Sequence, residues 1–173
     1  MAKIKIILLS LLFVACSFGA VGQVSTVAEI YRSQIGVREL TGRNDGRQVE
    51  MFLASCNLAK GNPWCAAFIT WTFKTAGIKT VVSGYSPAWF PAKKTIYTRG
   101  ASGNATPITA DVFGIWFESK KRIAHVGFID EWPSGNYAIT VEGNTNDAGS
   151  REGDGVYRKR RLKKQFYKIS RWL

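Results

Sequence analysis

In "STVAEIYRSQIGV", Val27, Ile30, Tyr31 and Gln34/Ile35 fall at helical spacing, which predicts a helix capped by Ser25 or Thr26. In "GRQVEMFLASCNL", Val49, Phe52, Leu53 and Cys56 repeat in the same way. That spacing places Cys56 on the apolar face as a small hydrophobe. A third helix is expected to start near Asn62-Pro63, with Asn as cap and Pro in the first turn, and to stop at Gly77. Its apolar residues cover nearly the whole circumference, the mark of a central, buried helix.

From Lys79 to Pro107, glycines and prolines interrupt every pattern, so an irregular excursion is expected, with one short helix around "PAWFPAKKTI". After Thr109 the period becomes two. "DVFGIWFE", "AHVGFIDEW", "YAITVEGN", "GVYRKRRL" and "FYKISRWL" read as about five strands with short turns. Helices followed by such a meander predict an α+β domain, the cysteine-bearing helix packed on a curled antiparallel sheet.

The first segment does not belong to that domain. "MAKIKIILLSLLFVACSFGAVGQ" has a basic start, an apolar run from Ile6 to Ala15 and small residues, the order of a secretory signal. Residues 1–22 are expected to be a leader removed after Gly22, leaving a single domain over 23–173. The alternative is a lipoprotein signal, with Cys16 in "FVAC" as the lipidated residue. A secreted or periplasmic protein is therefore expected, or one lipid-anchored through Cys16. Removing the leader deletes Lys3 and Lys5 and no acid, so the net charge of +12 drops by two. A surplus of that size favours an anionic cell wall or envelope surface. Only Cys56 and Cys65 then remain, too few for a disulfide framework. With the single histidine they make a structural zinc site a poor reading.

That histidine, His125, begins a strand in "IAHVGFID", and "VEGNTND" on the next strand brings Glu142 and Asn144. Residues two apart on a strand face one side, so both side chains are expected to point together, beside His125 if the strands pair. Cys65, in "GNPWCAAFITW", sits where the buried helix begins. A free thiol with a pKa near ~8.5 is mostly protonated at neutral pH, and a helix N-terminus or an imidazolium favours the thiolate. His125 would manage the proton, and Glu142 or Asn144 would orient the ring. Each residue alone has a structural explanation; the three stretches in this order are much harder to assign to chance.

"NPWCAAFITWTF", "IAHVGFI" and "VEGNTND" resemble the CHAP family, the cysteine, histidine-dependent amidohydrolases/peptidases of bacterial cell walls. The resemblance runs from about Ile35 to just beyond Glu142. It implies a papain-like α+β fold, Cys65 as nucleophile, His125 as base and Glu142 and Asn144 as the remaining polar groups, with no catalytic metal. "CNLAKGNPWC" offers no carboxylate for the calcium loop some members carry, so no cofactor is expected. The related NlpC-type peptidases share the cysteine–histidine order but usually lack Glu-x-Asn.

Glu39 and Asn44, in the polar loop before the second helix, are candidates to line the cleft, and Trp64 and Trp89 to contact substrate. Each has a structural alternative. The function implied is an exported peptidoglycan hydrolase cutting an amide of the stem peptide, as an N-acetylmuramoyl-L-alanine amidase or an endopeptidase. A non-catalytic wall-binding or adaptor domain of the same fold is the alternative. A monomer is expected, without nucleic acid as a partner. The basic run "YRKRRLKK" is expected to aid wall capture, away from the catalytic stretches.

Overall fold

A computed structural model of the chain describes residues 20–147 and 153–173. The cysteine of the proposed lipid anchor and most of the expected leader lie outside these residues. The described chain is α+β. Helices α1 (residues 20–33), α2 (Arg47–Ala54) and α3 (Cys65–Thr75) precede a six-stranded antiparallel sheet. The strands are β1 (Thr95–Thr98), β2 (Val112–Phe117), β3 (Arg122–Glu131), β4 (Tyr137–Thr145), β5 (Gly155–Leu162) and β6 (Lys168–Ser170), in the order β1-β6-β2-β3-β4-β5.

The hydrophobic pattern explains why α3 is central. Phe68 and Phe73 meet Phe128 of β3 edge-on, at ring-centroid distances of 6.0 and 5.5 Å. Phe52 of α2 covers the other side, against Phe68 and Trp71. The loop after α3 closes the third side, where Thr70 Oγ1 donates to Ser83 O and Trp89 stacks on Phe73. Gly77 ends the helix with a φ of 71°. Its N–H donates to Lys74 O and that of Ile78 to Phe73 O, the paired bonds of a Schellman motif.

Several sequence expectations need correction. Helix α1 is already formed at residue 20, so neither Ser25 nor Thr26 caps it. Helix α3 begins at Cys65 with Trp64 in the capping position, while the Asn62 side chain donates to Ala59 O instead. Cys56 lies past the end of α2 and is half-buried rather than on its apolar face. The excursion after Lys79 holds a 3-10 turn (Ser86–Trp89) and the unanticipated sixth strand, β1, which pairs with β6.

Candidate active site

The site is assembled where the first turn of α3 meets β3 and β4. Two glycines make that approach possible. A Cβ at Gly143 of β4 would stand 2.6 Å from the Trp64 ring, and one at Gly127 of β3 would stand 2.9 Å from Glu142 Cγ. The first lets β4 close on the start of α3. The second leaves room for a carboxylate beneath the neighbouring strand.

Cys65 is buried, shares a cleft with His125, and its Sγ lies 3.6 Å from Ser86 Oγ. His125 Nε2 is 2.8 Å from Glu142 Oε2, which leaves Nδ1 as the ring nitrogen for the thiol. Glu142 is fully buried, and four donors surround its two oxygens. Arg161 reaches both oxygens through Nε and a terminal nitrogen, Thr140 Oγ1 donates to Oε1 at 2.6 Å, and His125 occupies Oε2. Those contacts fill the acceptor sites of an ionised carboxylate.

Electrostatics follow from this chain. Burial pushes Glu142 up, but Arg161 and His125 outweigh it and hold the carboxyl well below the usual range. Burial would lower His125, yet its bonds to Cys65 and Glu142 raise it to about 9. Burial raises the Cys65 thiol, whereas His125, Ser86 and the backbone at Val126 bring it below its ordinary value. The arrangement favours a thiolate–imidazolium pair supported from behind by a carboxylate and a guanidinium.

Asn144 has a different task from Glu142. A bulge interrupts β4 between Glu142 and Thr145, and Asn144 has a left-handed φ of 55°. The simple alternation expected from sequence is broken there. Asn144 Oδ1 accepts from the Trp64 N–H at 3.0 Å, and its amide donates to Asn44 Oδ1 at 3.1 Å. Since α3 has no side-chain cap of its own, this distant amide anchors the residue just before Cys65.

Glu39 completes that support, accepting from Trp64 Nε1 at 2.8 Å and from the Asn44 N–H at 2.8 Å. Asn44 borders a cleft of about 230 Å³ with Pro63, Cys65, Lys120, His125 and Asn144. A second depression of about 460 Å³ lies on the Ser86 side, between Val82–Ser86 and Lys120–Ala124. Trp64 and Trp89 are fully buried, which leaves neither indole a surface for substrate.

Two participants were missed. Ser86 arrives from the excursion and has no local sequence signal. Arg161 belongs to the basic run expected to stand apart from the site, but β5 pairs with β4 and places it beside Glu142. Among the described residues, no group of three or more His, Cys, Asp or Glu side chains is arranged to hold a metal ion, and no helix is long and apolar enough to cross a membrane.

No family model matches the chain, and no curated protein matches it. A solved structure described as "The crystal structure of Ly7917" is similar at a TM-score of 0.41 and 16% identity, over 85% of this chain and 61% of that one.

Proposed function

We propose that this protein is an exported peptidoglycan hydrolase, papain-like in its catalytic arrangement and CHAP-like in its motifs. It cuts an amide bond of the cell-wall stem peptide. The observation that carries the reading is that Cys65, the first residue of α3, lines one cleft with a His125 whose Nε2 is held by Glu142.

The Cys65 thiolate attacks the amide carbonyl, forming a C–S bond and a tetrahedral oxyanion. First-turn N–H groups of α3 have no partners within the helix and are the donors available to that oxygen as it develops charge. Protonated His125 gives its proton to the amide nitrogen as the C–N bond breaks and the amine leaves. Water, deprotonated by the now neutral His125, attacks the thioester, releases the acid and restores the thiolate. Glu142 stabilises the imidazolium and fixes the ring, and Asn144 keeps the start of α3 in place.

The bond is identified by digesting purified peptidoglycan and weighing the soluble fragments. Separated sugar and intact peptide indicate an amidase; new termini within the peptide indicate an endopeptidase. Wall binding without fragments, by a protein with Cys65 free, would favour the adaptor reading.

A further inference from the structure

Among the described residues, cations border the two depressions flanking Cys65, and no carboxylate does. Lys120 lines both, together with Pro63, Cys65 and Ala124, so it stands where they meet at the nucleophile. Arg122 lines the larger depression beside Tyr85 and Ser86. Its guanidinium carbon is 5.2 Å from the Tyr85 ring centroid, and it donates to Ile123 O at 3.0 Å. Both of those partners are neutral. Glu118, near Lys120 in sequence, is already engaged by Lys121 and by Trp116 Nε1. Among the described residues, no Asp or Glu side chain lines the larger recess, where these two positive charges stand.

We infer that the Ser86 side of the cleft is a carboxylate-binding subsite, in which Lys120 and Arg122 select peptides carrying a free carboxylate next to the scissile amide. This rests on the hydrolase reading and adds its substrate class. A guanidinium held by an aromatic ring and a carbonyl is pre-positioned for a planar anion, and a lysine supplies a mobile point charge. A carboxamide at the same place could accept hydrogen bonds but would leave both charges uncompensated.

The test measures binding to the Cys65→Ala protein, separating recognition from turnover. The probes are a soluble stem tetrapeptide with free internal carboxylates and the same peptide with them converted to carboxamides. The free acid should bind roughly tenfold more tightly, a difference in the range of charge-assisted hydrogen bonds. Adding Lys120→Met and Arg122→Met should remove most of that preference, whereas Lys93→Met, an exposed cation outside the cleft, should keep it. Equal binding of the two peptides, binding of neither, or a preference unchanged by both cleft substitutions overturns the inference. Hydrolysis of both peptides at equal rates by the wild-type protein would likewise overturn it while leaving the hydrolase reading intact. That reading fails separately if a folded Cys65→Ser protein cuts the wall undiminished.

Discussion

Arg161 grips both oxygens of Glu142, and the same carboxylate meets His125 Nε2 at 2.8 Å. A residue on β5 thus fixes the group that fixes the His125 ring. Arg161→Met should leave a buried carboxylate without its main cation and lower stability by about 3 kcal/mol, as removal of one partner from buried pairs does. In the wild type Glu142 sits below its ordinary value of 4.5. Its contribution is therefore present above pH 4.5 and lost as pH falls through the lower folded value. Denaturant titrations at several pH values should show the variant losing that contribution at higher pH. Superimposable wild-type and variant curves would remove Arg161 from the site.

In the proposed mechanism His125 sets the alkaline side of activity. Its folded pKa is raised from 6.5 to about 9, so charged His125 stabilises the fold fully below pH 6.5 and loses that contribution as pH rises through about 9. The kcat/KM profile should fall on an alkaline limb near pH 9, where the proton for the leaving amine is lost. Glu142→Gln should move that limb to lower pH and reduce the rate more than Asn144→Ala. The reverse order would transfer the orienting role to Asn144.

Asn144 combines a left-handed backbone with a bond to the Trp64 N–H, and two substitutions separate these effects. Asn144→Gly keeps the backbone at ease and loses the bonds, and should cost about 1–2 kcal/mol. Asn144→Ala adds strain and should cost roughly 1 kcal/mol more. Both should slow alkylation of Cys65 by iodoacetamide, because the start of α3 loses its anchor. Unchanged alkylation in both would make Asn144 purely structural.

What could be read from sequence was what depends on neighbours along the chain. The period-two run at Gly155–Leu162 matched β5 residue for residue, and the apolar circumference of α3 marked its burial. Cys65, His125 and Glu142 could be brought together because helix, strand and hairpin order sufficed. Arg161 could not: its charge looked like surface charge until β5 was seen paired to β4. Ser86 needs the path of an irregular loop, and in the β4 bulge the positive φ falls on Asn144 rather than on its neighbour Gly143. Strand β1 is four residues long and exists by pairing with β6, far along the chain.

The cysteines should differ in reactivity, though by less than full burial of Cys56 would give. Cys56 is half-buried and lines the larger depression, but no histidine contact is found for it among the described residues. Cys65 has its thiolate favoured by His125. Brief iodoacetamide treatment near neutral pH should therefore label Cys65 at least about tenfold faster, with slow native labelling of Cys56. Peptide mapping checks the order, and faster labelling of Cys56 would contradict it.

The most direct measurement is the release of new amino groups from purified peptidoglycan by the wild-type, Cys65→Ser and His125→Ala proteins, with folding of each verified by circular dichroism. The wild-type protein should release amines continuously. Both variants should be folded and slower by at least about a thousandfold, because a hydroxyl here is a far poorer nucleophile and the thiol loses its proton partner without the imidazole. Amine release by folded Cys65→Ser at the wild-type rate, or none by wild-type protein with Cys65 reduced, would contradict cysteine-dependent wall hydrolysis.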